Sequence, residues 1–157
     1  MNKLIQYLKN EILLKPSKKT QDRLIQYLNN EIWFRAGPSG IHGVGLFAIR
    51  DIPKGTDIMV EFDGKGKTYF SIEKAQMQDI HPNVRQLWKD YWQNNDIWQH
   101  IYLPLNYKRI HIFYVNHFDK PNCDLNCGIN HLSLITNKDI KEGEEIFSDY
   151  NRLPLHQ

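Results

Sequence analysis

Hydrophobic residues near the N-terminus recur with helical spacing. Leu4, Ile5, Leu8 and Ile12 stand at i, i+1, i+4 and i+8, and the same set returns as Leu24, Ile25, Leu28 and Ile32 inside a nearly repeated run. That spacing lays the apolar side chains along one stripe of a helix. Lys15-Pro16-Ser17-Lys18-Lys19-Thr20 reads as a polar breaker between the copies. Two copies fall short of the roughly three stacked units that a solenoid needs. Residues 1–31 therefore read as a helical N-terminal appendage packed on the main domain, whose apolar stripe could also pair two copies in a homodimer.

From residue 32 the pattern changes to short β-branched and aromatic runs broken by Gly and Pro, the mark of short strands and tight turns. Arg50-Asp51-Ile52-Pro53-Lys54-Gly55-Thr56-Asp57-Ile58 is echoed by Lys138-Asp139-Ile140-Lys141-Glu142-Gly143-Glu144-Glu145-Ile146. Both read as strand, Asp, a turn with Gly at a positive φ, then strand. The repeat suggests two similar β elements at opposite ends of one fold.

A helical insert of about residues 70–98 is expected between them. Val84, Leu87, Trp88, Tyr91 and Trp92 follow His81-Pro82 at helical spacing, and Ser71 could cap a shorter helix before it. The aromatic face suits core packing or the wall of a groove. Ile101-Tyr102-Leu103 and the alternating run Ile110-His111-Ile112-Phe113-Tyr114-Val115 read as strands, and residues 151–157 as a short tail. The fold class is mostly β with helices, α+β.

Composition adds exclusions. Twenty Lys and Arg against eighteen Asp and Glu leave a formal charge of +2, too small to hold a nucleic acid through its phosphates. No apolar run approaches the roughly 18–20 residues of a membrane span, and the N-terminus has no uninterrupted apolar segment with a small-residue cleavage site. The expectation is a soluble intracellular protein, in its own cytoplasm or, if delivered, in a host cell or nucleus. Cys123 and Cys127 are four apart, neither a CxxC pair nor half of a four-ligand zinc site, and read as thiols in a reducing compartment.

Three segments carry candidate chemistry: Ile41-His42-Gly43-Val44-Gly45-Leu46-Phe47-Ala48; Tyr114-Val115-Asn116-His117 with Pro121-Asn122-Cys123; and Gly143-Glu144-Glu145-Ile146-Phe147-Ser148-Asp149-Tyr150. In this order they resemble the SET-domain family of protein lysine methyltransferases, over about residues 32–150. The match is closest to small stand-alone SET proteins. The resemblance implies a β-clip-like fold of small curved sheets with a knot-like threading of the Asn-His segment beneath the final Tyr-bearing loop. It also implies S-adenosylmethionine as methyl donor, S-adenosylhomocysteine as product, and a protein substrate presenting a lysine, such as a histone tail.

Under that resemblance His42, Gly43, Val44, Gly45, Asn116, His117 and Tyr150 bind the cofactor. Gly43 and Gly45 allow a close backbone approach, and the Asn116 amide can both donate and accept. His117 in the family meets the adenine through its backbone. Tyr150 is the catalytic candidate. A lysine amine must be neutral to attack, yet free lysine has a pKa of about 10.4, which a desolvated channel and a nearby cation lower. The Tyr150 hydroxyl would orient amine and methyl, so catalysis is positioning plus electrostatics. Phe62, Leu125, Phe147 and Ser148 are the expected lysine-channel residues.

The chain also departs from the family. Phe118-Asp119 stands where Ser-Cys is usual, and the tail after Asn151 has no cysteine, so no zinc is expected. Leu153 or Leu155, the Trp-bearing insert, or a second subunit would then close the site. Phe62, Ser148 and Leu125 replace tyrosines or another aromatic, leaving room that favours di- or trimethylation. Glu61, Asp63, Asp79 and Asp90 could form an acidic groove for a basic tail. The alternatives are a non-catalytic β-clip binding module, which needs neither Asn116-His117 nor Tyr150, and a degenerate SET domain without turnover.

Overall fold

In a computed structural model, residues 17–63, 69–91, 100–104, 107–127 and 132–152 of the 157 are described. The first copy of the N-terminal repeat, Trp92, Leu153 and Leu155 lie outside them. The second copy forms helix α1, Lys18–Glu31. The expected breaker overlaps it: Ser17 is the N-cap, its Oγ accepting from the Thr20 N–H at 3.3 Å, so Lys18, Lys19 and Thr20 make the first turn. At the other end the Arg50 guanidinium donates to the carbonyls of Asn29 and Ile32 and lies over the Trp33 ring, 4.4 Å from its centroid. That cation satisfies carbonyls that a helix C-terminus leaves without partners.

Leu24 and Leu28 of α1 are buried, with Ile32 following, in the same core as Phe34, Leu46 and Ile146. Full burial of each such side chain is worth about 1.5–3 kcal/mol, which secures α1 to the main domain. Ser17→Ala is expected to cost about 1 kcal/mol, measured as a lower midpoint in urea with an unchanged slope.

Among the described residues, eight strands form three small sheets. β1 (Phe34–Pro38), β2 (Val44–Ala48), β8 (Glu145–Ser148) and β5 (Asn116–His117) lie side by side in the order β1-β2-β8-β5, with β5 parallel to β8. β3 (Tyr69–Glu73) pairs with β4 (His100–Pro104), and β6 (Cys123–Cys127) with β7 (Leu132–Thr136). The mixed α+β class is as expected for a SET fold.

The central insert is bracketed by strands. Ser71 lies within β3, not at a helix start; a 3-10 turn over Lys74–Asp79 follows, then α2, Pro82–Tyr91. Val84, Leu87 and Trp88 of α2 are buried in the core, Trp88 edge-on to Tyr107 at 5.5 Å.

The run Ile110–Val115 is not a strand: α3 covers Tyr107–His111 and a 3-10 turn covers Ile112–Tyr114. The buried positions are Tyr107, Lys108, His111, Ile112 and Val115, spaced i, i+1, i+4, i+5 and i+8, as a helix requires. Apparent alternation concealed that period because one member of the buried stripe is a lysine.

The echoed turns do not sit at opposite ends. Gly55 and Gly143 have φ of 84° and 85°, and the turns pair with each other. Ile52 and Ile140 exchange backbone hydrogen bonds of 2.8 and 2.9 Å. Asp139 accepts from the Lys54 N–H at 2.8 Å, while Asp51 accepts from the Glu142 N–H at 2.9 Å. Each aspartate thus supports the other copy's turn. This clasp leads the chain from Gly143 into β8 and the candidate site.

Candidate functional site

The site is built around β5 and β8. Asn116 stands opposite Phe147 and His117 opposite Ser148, and the Phe118 N–H donates to Ser148 O at 3.1 Å. Leaving β8, the chain turns at Asp149 and brings Tyr150 back over β5. The Tyr150 N–H donates to His117 Nδ1 at 3.2 Å, the two rings lie 5.4 Å apart, and the Tyr150 hydroxyl donates to Val115 O. Burial raises the Tyr150 pKa, which keeps the hydroxyl a donor at neutral pH. An Nδ1 that accepts from Tyr150 carries no proton, so the imidazole proton of neutral His117 is on Nε2; Asp119 Oδ1 lies 3.4 Å from it.

Across the sheet, the Asn116 side chain reaches the loop between β1 and β2. Its Nδ2 lies 3.2 Å from both His42 O and Val44 O, and 2.9 Å from Glu145 Oε1. The structure therefore joins His42, Gly43, Val44 and Gly45 to Asn116. Val115 and His117, one residue either side of Asn116, are the two that Tyr150 bonds. Gly43 has φ of 51° and open space where a Cβ would be. Gly45 is buried; a Cβ there would come within 2.1 Å of Glu145 Oε1.

The four channel candidates are dispersed. Phe147 packs on Phe118 at 5.1 Å. Ser148 is fully buried, with no hydrogen-bond partner for its hydroxyl among the described residues. Adjacent strand residues point to opposite faces, so Phe147 and Ser148 cannot line one wall. Phe62 packs on Tyr27 of α1 at 5.4 Å, with Arg23 over its ring at 5.5 Å. Leu125 is half-buried against the core from β6. Of the acidic-groove candidates, Glu61 is engaged by Arg109 at 2.7 Å.

Two polar residues that bind the site together were not singled out from the sequence. The buried Asn122 side chain donates to Glu145 O at 2.8 Å and accepts from the Phe147 N–H at 2.7 Å, so it acts as a backbone partner for β8. Glu145 bridges Asn116 and Ser39. Strand alternation, which sets Glu145 opposite the buried Ile146, was the available signal.

Cys123 is buried and Cys127 exposed, and both are free. Among the described residues no three His, Cys, Asp or Glu side chains are grouped to hold a metal ion, and no helix is long and apolar enough to cross a membrane.

The SET domain model matches residues 43–151, which include Asn116, Glu145 and Tyr150 and leave out their partners Ser39 and His42. A crystal structure of a Plasmodium falciparum "putative histone methyltransferase" is similar to this chain at 25% identity. The match covers 76% of this chain and 94% of that one with a TM-score of 0.40. No curated protein matches the chain significantly.

Proposed function

This chain belongs to the SET-domain family, and on that premise we propose that it is an S-adenosylmethionine-dependent protein lysine N-methyltransferase. The observation that carries the reading is the placement of two groups at consecutive residues, Val115 and Asn116, where the chain enters β5. The Asn116 amide faces the glycine loop, and one residue earlier Val115 O meets the Tyr150 hydroxyl. A cofactor pocket at Asn116 and a positioning hydroxyl held by Val115 would thus stand one residue apart where the chain enters β5.

The residues present fit the cofactor. Gly43 leaves open space, His42 and Val44 are exposed, and Asn116 Oδ1 has no hydrogen-bond partner among the described residues. His42, Gly43, Val44, Gly45, Asn116 and His117 would hold S-adenosylmethionine, which supplies a methyl group on a sulfonium and leaves as S-adenosylhomocysteine. Tyr150 does the orienting. Its hydroxyl and Val115 O form a fixed polar pair past which a substrate lysine amine is aimed, and exclusion of water there favours the neutral amine. Phe147 with Phe118 supplies an apolar wall. A lysine in a protein substrate, such as a histone tail, is the acceptor. The reading needs no zinc.

The test is calorimetric titration of the purified chain with S-adenosylmethionine and S-adenosylhomocysteine, wild type beside Asn116→Ala. One-site binding weakened about tenfold by the substitution is expected, the effect of about one hydrogen bond. No binding by the wild type at millimolar ligand would replace this reading with a β-clip binding module.

A further inference from the structure

We infer that Glu145 is a positioning residue of the proposed cofactor site, one carboxylate that locks both the glycine loop and the side-chain amide of Asn116 into a single arrangement. The inference rests on the methyltransferase reading. Its starting point is Gly45, where a Cβ would come within 2.1 Å of Glu145 Oε1 and 2.7 Å of its Cδ. The carboxylate fills the space of the missing side chain, so a side chain at position 45 would push the Glu145 carboxylate off the partners described next.

Each carboxylate oxygen holds one limb of the site. Oε2 accepts from the Ser39 hydroxyl at 3.0 Å. Ser39 Oγ itself accepts from the N–H groups of Ile41 and His42 at 3.0 and 3.3 Å, and the Ser39 N–H donates to Gly43 O at 3.0 Å. An oxygen receiving two N–H donors must send its own hydrogen elsewhere, and a carboxylate, which only accepts, takes it. Oε1 accepts from Asn116 Nδ2 at 2.9 Å. That nitrogen faces three oxygens, those of Glu145, His42 and Val44, so only the NH2 end of the amide can stand there. Asn116 therefore turns its carbonyl oxygen outward, and a ligand docking at Asn116 must offer it a donor.

A glutamine at 145 keeps the shape and breaks the logic. With its NH2 toward Ser39 it meets an oxygen already receiving two donors, whose own hydrogen then has no acceptor. With its NH2 toward Asn116 it sets donor against donor. Either way the loop or the Asn116 amide is released.

The experiment measures S-adenosylhomocysteine affinity, the KM for S-adenosylmethionine and for protein substrate, and Tm. It compares wild type, E145Q, S39A and the double variant. For E145Q a roughly tenfold loss of cofactor affinity with a matching rise in cofactor KM is expected, from the loss of one charge-assisted hydrogen bond. Protein-substrate KM should not move. S39A should lose less, and the double variant no more than E145Q alone, because with the Ser39 hydroxyl gone the glutamine can turn its NH2 toward position 39 and keep its oxygen on Asn116. If E145Q does not fold, weakened cofactor binding by a folded S39A still supports the inference and unchanged binding overturns it. Equal cofactor binding by wild type, E145Q and S39A overturns this inference alone. A wild type that binds neither cofactor form overturns the methyltransferase reading and this inference with it.

Discussion

Tyr150→Phe is expected to lower the methyl-transfer rate about 100- to 1,000-fold, the effect typical of removing one preorganised donor from a reaction centre. The change deletes only the hydroxyl that donates to Val115 O. The ring keeps its place against His117 at 5.4 Å, and the Tyr150 N–H keeps its bond to His117 Nδ1. The loss of the one hydrogen bond to Val115 O should cost about 1 kcal/mol of stability. The fall should appear in kcat, with cofactor affinity within about threefold of wild type, since the hydroxyl acts on the reacting groups. Single-turnover methylation together with calorimetry makes the measurement. A variant that methylates at the wild-type rate would remove Tyr150 from the chemistry.

The second large effect concerns stability and pH. Lys108 is almost fully buried on α3, its Nζ donating to Val60 O at 2.5 Å and lying 5.4 Å from the centre of the Tyr27 ring. Burial lowers its pKa from 10.5 to about 7; Glu31, Asp57 and Glu61 act to raise it, and Arg50 lowers it further. Between those two pKa values the unfolded chain holds a proton that the folded chain has released, so stability rises with pH. Cys123 works in the opposite sense: burial pushes its thiol from 9.0 up to about 12. Above about pH 9 the folded chain holds a proton that the unfolded chain releases, and stability falls. Tyr27 and Tyr150, both raised by burial, add to that fall above about pH 10.

Stability should therefore climb by about 2–3 kcal/mol from pH 7 to pH 9, at 1.36 kcal/mol per unit for one proton, level off while Cys123 offsets Lys108, and fall above about pH 10. Lys108→Met fills similar volume without the charge. It should flatten the climb, equalling or exceeding the wild type at pH 7 and losing that advantage by pH 9, where the neutral lysine still donates to Val60 O. Urea denaturation across this range decides the matter. A wild-type profile flat between pH 7 and 9, or a Lys108→Met profile that still climbs, would contradict a lysine buried with a lowered pKa.

Lys108 also marks a limit on what a sequence pattern reveals. The run Ile110–Val115 alternates like a strand, and the helical stripe Tyr107, Lys108, His111, Ile112 and Val115 shows only once a lysine is counted among the buried positions. The cause is tertiary: the Nζ finds Val60 O and the Tyr27 ring, contributed by elements about fifty and eighty residues away along the chain. The echoed turns are similar. Their Asp and Gly residues announced two turns of positive φ, but mutual pairing through Ile52 and Ile140 depends on where the chain returns.

The candidate site divides along the same line. Gly43, Gly45, Asn116, His117 and Tyr150 were legible as three short motifs, because each motif is a local backbone requirement or a particular donor and acceptor set. The role of Glu145 was not, since what defines it is the empty volume at Gly45 and the hydroxyl of Ser39, about a hundred residues away. Nor could sequence alone separate Phe147 from Ser148 until β8 fixed which face each side chain occupies. The sequence by itself determined the α+β class, the amphipathic stripe of α1, the glycine turns and the family motifs, all set by spacing over a few residues. Only the tertiary structure decided which turns clasp, which lysine is buried and which carboxylate holds the loop, because burial and hydrogen-bond partners belong to segments that meet only after folding.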